Sequence, residues 1–252
     1  MSGARSDMRS GVRTAPEVAA RRVLTERYER VRAAVLAGSV VRGEATATSD
    51  LDMVIVLETL DTPYRESFVL DSWPVEAFLH NPVSWPSFFT DEAERRQPSL
   101  PRMCAEGTIL VDVGGLATHM KAEAQAVIDA GPKPLTDAEL RARRYRLTDL
   151  LDDFAGSQVR GETCVIASEL AVAAAELLLL VNGQWLGRSK WLHRGLARLN
   201  PAAAEQLTAG LEAVYGVDSR DELVRWVEEI LAPVGGRLFE GYRVDSGWRP
   251  DV

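Results

Sequence analysis

Cysteine is scarce in this chain: two in 252 residues, Cys104 and Cys164, far apart and outside any CxxC spacing. That excludes a disulfide framework and a cysteine-based zinc site. It makes both residues candidates for small buried apolar positions and points to a reducing compartment, so the expected location is cytoplasmic. Histidine is limited to His80, His119 and His193, without ligand spacing, and none is read as a metal ligand. Positive charge is in deficit: 29 Lys and Arg face 37 Asp and Glu, for a net charge of −8 and a pI near 5.1. A duplex-binding module needs a basic stripe to displace counterions, so nucleic acid is an unlikely partner. A long hydrophobic run is missing too. The greasiest stretch, VIASELAVAAAELLLLV at 165–181, is seventeen residues long and carries Glu169 and Glu176, so it reads as a core helix and no membrane partner is expected. The N-terminal MSGARSDMRSGVRTAPE has no apolar h-region and is not a secretory signal; residues 1–15 are expected to be disordered.

What is present is material for a core. Apolar residues make up 46% of the chain and charged residues 26%, an ordinary globular balance, and 252 residues suit one large domain or two modest ones. From Pro16 to about Ala37 the apolar residues recur at three- and four-residue steps, which predicts one helix begun by Pro16 and stopped by Gly38. LDMVIVL (51–57) reads as a buried strand, and RESFVL (65–70) and VEAFLH (75–80) as a hairpin around DSWP. Residues 83–106 look helical with proline punctuation, TILVDV (108–113) is a short strand, and 116–130 is an amphipathic helix. GPKPLT (131–136) marks a boundary, followed by a capping signal at Thr136–Glu139. Beyond it the patterns are helical only, at about 137–155, 160–182, 188–198, 201–214 and 218–232. The expected organisation is therefore α+β: a mixed sheet with flanking helices over residues 16–131, then an all-helical domain over 136–252.

The stretch that carries chemistry is GSVVRGEATATSDLDMVIV, from Gly38 to Val56. Side chains alternate along a strand, so Asp50 and Asp52 point to the same side at the start of a buried one. Two like charges that close repel unless a cation lies between them, and a hard divalent ion such as Mg2+ prefers carboxylate oxygens. Glu76, in the 75–80 run, joins them if that run pairs beside 51–57, and three convergent carboxylates suit two metal ions that clamp a phosphoryl or nucleotidyl displacement. Gly38 permits close backbone approach to a phosphate. Ser39, at the start of a short helix, offers N–H and O–H donors, and Arg42 one turn on reaches the same polyphosphate. The plainer alternative is a solvated strand start, with Asp50 a turn residue and Ser39 a helix cap.

A Gly-Ser pair, ten residues, Asp-Leu-Asp running into an apolar strand and a later strand carboxylate resemble the nucleotidyltransferase superfamily of DNA polymerase β. The α/β half followed by a helical half resembles the aminoglycoside nucleotidyltransferases, and PVEAFLHNPVSW is similar to their third-acid strand. The resemblance implies Asp50, Asp52 and Glu76 as catalytic metal ligands for two Mg2+ ions and an NTP co-substrate, ATP first among them. It implies attack by an acceptor hydroxyl on the α-phosphorus, with pyrophosphate leaving. The general base is then the third acid or a glutamate of the helical half, where Glu162, Glu169 and Glu176 recur every seven residues with Val165, Ile166, Leu170, Ala173 and Leu177 between them facing the core. Glu169 is the candidate among the three, with a solvated helix face as its alternative. Lys190 in GRSKWLHRGL is a candidate triphosphate contact, with Arg194 on the same helical face, and Trp185 and Trp191 are read as core or stacking residues.

The expectation is thus a nucleotidyltransferase that passes a nucleoside monophosphate to the hydroxyl of a small molecule such as an aminoglycoside-like antibiotic. An acidic cleft suits such a cation, and a resistance role goes with it. The alternatives are a nucleotidyltransferase acting on a protein partner or an RNA end, and a non-catalytic nucleotide-binding regulator. Nothing in the sequence bears on the oligomeric state.

Overall fold

The computed structural model describes residues 13–244, and the chain divides between Gly131 and Pro132 into two compact units. The first is built on a five-stranded sheet. Helix α1 (Pro16–Arg27) starts with proline in its first turn and ends where Tyr28 turns extended. It does not run on to Ala37 as the spacing predicts. Arg30 adopts a left-handed backbone at φ 52°, and Val31–Ala37 is strand β1. The spacing misleads because β1 is covered on both faces: Ala34 and Leu36 enter one hydrophobic layer while Ala33 and Val35 enter the other. A strand buried on both sides shows no period of two for a sequence reading to find.

Strand β2 (Leu51–Leu57) follows, then β3 (Tyr64–Leu70) and β4 (Trp73–His80), joined by Asp71 and Ser72, both left-handed as a tight two-residue hairpin requires. Helices α2 (Trp85–Glu94) and α3 (Ser99–Glu106), strand β5 (Thr108–Asp112) and helix α4 (Leu116–Ala130) complete the unit. The sheet order is β3-β4-β2-β1-β5, with β2 and β4 parallel and the other pairs antiparallel. Alternation sorts the sheet into two faces. Leu51, Met53, Ile55, Val75, Ala77 and Leu79 pack on Ala20, Val23 and Leu24 of α1. Val54 and Val56 pack on Phe89, Cys104 and Met120 from α2, α3 and α4. The second face is the one Asp52 shares, one turn of the alternation before Val54.

Residues 1–12 of the expected disordered tail lie outside the described residues. Arg13 to Ala15, expected with it, are instead tied to the sheet: Trp73 donates its indole N–H to the Thr14 carbonyl at 2.9 Å, and Arg13 bonds two backbone carbonyls. A reading by composition misses this, because the contacts are made by backbone and one guanidinium rather than by apolar side chains.

The second unit is helical throughout its described residues: α5 (Asp137–Gly156), α6 (Arg160–Val181), α7 (Lys190–Leu199), α8 (Pro201–Val217) and α9 (Asp221–Leu231). Thr136 and Glu139 form the expected capping box, and Gly183 at φ 64° follows the end of α6. The core gathers Leu147, Phe154, Leu170, Leu177, Leu196 and Trp226. Helix α6 is long and apolar enough to cross a membrane by length and composition, and half of that apolar window is buried within the protein. Leu170, Ala173 and Leu177 face the core as expected, but Val165 is 67% exposed and lines an open cavity of about 750 Å3 with Asp152, Asp153 and Glu162. Val165 lies three and four residues from Glu162 and Glu169 on the side of α6 that is exposed as far as Val172.

Candidate active site

The parallel pairing of β2 with β4 places Asp52 directly beside Glu76. Asp50 lies two residues before Asp52, on the same side by alternation, and one ligand oxygen from each of the three carboxylates lies within 4.8 Å of the others. All three are half-buried. The Asp52 carboxyl is pushed up to about 6, first by burial and then by the charges of Asp50 and Glu76; the Arg42 and Arg65 guanidiniums oppose the shift. Burial and like charge both disfavour the ionised form, which is the condition a bound cation relieves. Three hard oxygen donors so close together fit a divalent ion such as Mg2+.

Gly38 ends β1 opposite this cluster. Its φ is 82°, and a Cβ built on it would lie 2.2 Å from the Asp52 Oδ2. Glycine is required twice over, by the backbone and by the carboxylate it faces. Ser39 sits in a run of turns rather than at the start of a helix, which corrects the expected short helix: Val41 N–H donates to the Gly38 carbonyl and Glu44 N–H to the Ser39 carbonyl. The glycines and small polar residues of 38–50 favour turns here, and the two adjacent valines that pack on the core, Val40 and Val41, are too few to hold a helix.

The turn is tied from within. Ser39 donates its hydroxyl to the Ser49 Oγ at 2.9 Å, and that oxygen also accepts the Thr46 N–H at 2.8 Å. Arg42 is held by Glu44 at 3.3 Å and Glu106 at 3.4 Å, near enough to the acids to act on Asp52. Two site residues escape a sequence reading. Ser49 is the junction of the turn. Arg65, 53% exposed on β3, pairs with Glu76 at 2.5 Å and lies over the Phe78 ring. The signal for Arg65 is the hairpin register: with Ser67 opposite Glu76, Arg65 is the diagonal neighbour on the same face.

The remaining candidates belong to the helical unit. Glu169 is exposed and paired with Arg146 at 2.9 Å, and Glu176 is paired with Arg143 at 3.3 Å. Lys190 is exposed at the first position of α7, and the Arg194 guanidinium lies 5.0 Å from the Trp191 ring centroid. Trp185 and Trp191 are half-buried. Cys104 is fully buried, and burial pushes its thiol up to about 12; Cys164 is half-buried rather than buried as expected, since it lies beside exposed Val165 on α6.

Residues 19–79 match the family described as the nucleotidyltransferase domain. No curated protein matches the chain. Among solved structures, a nucleotidyltransferase-like protein from Exiguobacterium sibiricum 255-15 is similar over 86% of this chain and 74% of that chain, at 14% identity and a TM-score of 0.45. The matched segment runs from within α1 through nearly all of β4, and takes in Gly38 and every acid of the cluster. Residues 19–79 of this chain are therefore a nucleotidyltransferase domain.

Proposed function

We propose that this protein transfers a nucleoside monophosphate, AMP from ATP in the first instance, to a hydroxyl of a small molecule and releases pyrophosphate. The observation that carries the reading is the convergence of Asp50, Asp52 and Glu76 beside the Gly38–Ser39 turn, inside the segment that matches the nucleotidyltransferase domain. The three carboxylates would hold two Mg2+ ions, which supply charge neutralisation at the transferred phosphorus and at the leaving oxygen. Gly38 keeps the backbone clear of that space, and Ser39 and Arg42 are the donors assigned to the phosphate tail. The acceptor oxygen forms its bond to the α-phosphorus as the bond to pyrophosphate breaks, and a carboxylate takes the hydroxyl proton. Arg65 pairs with Glu76 from β3 and so limits where that carboxylate can swing.

A net charge of −8 favours a cationic acceptor, an aminoglycoside-like amino sugar being the class to test first, and free Cys104 and Cys164 suit a cytoplasmic setting. The test is pyrophosphate release with Mg2+, each of the four NTPs and a panel of hydroxyl-rich aminoglycosides and metabolites. Release that needs both one NTP and one acceptor class supports the reading. Mg2+-dependent NTP binding without acceptor-dependent release moves the acceptor to a protein or an RNA end, and no Mg2+-dependent NTP binding rejects the reading.

A further inference from the structure

We propose that Arg13 is a positioning residue for the acid site, tying the residue before Asp50 to the start of β4, the strand that carries Glu76. The inference rests on the reading of the three acids as a metal site. The sheet itself fixes only two of them. Asp52 and Glu76 face each other in register across β2 and β4, but Asp50 precedes β2 and has no partner in the ladder. Its position depends on Ser49, and Ser49 is held from outside the loop by Arg13.

The Arg13 Nη1 donates to the Ser49 carbonyl at 3.0 Å while its Nε donates to the Ser72 carbonyl at 3.1 Å. Ser72 is the left-handed residue immediately before β4. One guanidinium therefore spans the starts of two parallel strands, and its planar fork fixes the directions of both bonds, which an ammonium on a flexible stem does not. The guanidinium is itself seated, 4.4 Å over the Trp73 ring, whose N–H holds the next residue's carbonyl. Because the Ser49 hydroxyl accepts bonds from Ser39 and Thr46, the same anchor reaches the Gly38–Ser39 turn. Residues that orient metal ligands without touching the metal commonly change metal affinity by about 10- to 100-fold when removed.

The experiment is Mn2+ titration of the nucleotide-free full chain, followed by the paramagnetic signal of free Mn2+, with thermal unfolding in parallel. Arg13→Ala is expected to weaken Mn2+ binding about 10-fold, and to raise the Mg2+ concentration for half-maximal pyrophosphate release by a similar factor. Saturating Mg2+ should restore most of kcat. Arg13→Lys should recover only part of the affinity; full recovery overturns the requirement for a guanidinium fork. Arg21→Ala is the control for mere loss of an arginine clamp, since Arg21 donates to the Leu110 carbonyl at 3.0 Å elsewhere in the same unit. It should lower the unfolding temperature and leave Mn2+ affinity at the wild-type value. If Arg13→Ala does not fold, Arg13→Gln and Arg13→Lys carry the same comparison. A folded Arg13 variant that binds Mn2+ like wild type, while Asp52→Asn does not bind, overturns the role of Arg13 alone. Wild type that binds no more Mn2+ than Asp52→Asn overturns the metal site, and the Arg13 inference with it.

Discussion

Carboxylates are handled in two ways in this molecule. In the helical unit they meet guanidiniums: Glu169 with Arg146 at 2.9 Å and Asp218 with Arg160 at 2.9 Å at the surface, and half-buried Glu176 with Arg143 at 3.3 Å. Such pairs contribute little, about 0–1 kcal/mol each, and constrain little. In the sheet unit three carboxylates crowd to within 4.8 Å, with Arg65 on one of them and Arg42 further off. That arrangement opposes folding at neutral pH, because Asp52 must be either charged beside like charges or protonated. The difference teaches where function lies. Strain concentrated at three residues needs an external cation to relieve it, whereas the distributed pairs need nothing.

Removing the crowding should separate activity from stability most widely. Asp52→Asn is expected to lower pyrophosphate release about 1,000-fold, the equivalent of roughly 4 kcal/mol of transition-state stabilisation. The same change should stabilise the metal-free fold at pH 7 by about 1–2 kcal/mol in urea unfolding, allowing for partial exposure. The sign follows from linkage. Asp52 in the folded protein titrates near 6, above its usual 3.8, so its contribution is most favourable at low pH and is lost as pH rises through about 6. A destabilised Asp52→Asn at pH 7 without metal would break the comparison.

Gly38→Ala tests the same crowding from the backbone side. Left-handed strain at φ 82° costs about 1–2 kcal/mol, and the added Cβ displaces the Asp52 carboxylate it would meet at 2.2 Å. The expected result is loss of about 100-fold in pyrophosphate release, the equivalent of roughly 3 kcal/mol, with a lower unfolding temperature.

How much of this was legible in the sequence follows from where each signal is stored. Asp50, Asp52 and Gly38 stand out because their spacing is local, and Glu76 because its strand follows one short hairpin. Strand β1 was unreadable, since VRAAVLA is buried on both faces and carries no alternation. Arg13, Ser49 and Arg65 were invisible for another reason: each acts through a partner 36, 10 or 11 residues away, reached from the segment before α1, within the turn, or by hairpin register. The helical repeat of Glu162, Glu169 and Glu176 was readable as a stripe but silent about which arginines answer it.

Smaller effects sharpen the contrast. His80 is buried against the Phe88 ring with its Nδ1 unbonded, and burial lowers its pKa to about 4. Its contribution is present above pH 6.5 and lost as pH falls, by about 2 kcal/mol at pH 5. Unfolding of His80→Leu and wild type at pH 7.5 and pH 5 should show that much less acid sensitivity in the variant. Glu169→Gln should change stability by less than about 0.5 kcal/mol, as an exposed pair. Turnover within about twofold of wild type would leave it a surface residue; a loss of about 100-fold would make it the general base.

The central claim is that the three acids hold metal for nucleotide. Its most direct measurement is anomalous diffraction from crystals of the full chain grown with Mn2+ and a non-hydrolysable ATP analogue. The account predicts Mn2+ peaks bridged by Asp50, Asp52 and Glu76, with the phosphates on the Gly38–Ser39 side. Bound nucleotide with no anomalous peak among those carboxylates would contradict it.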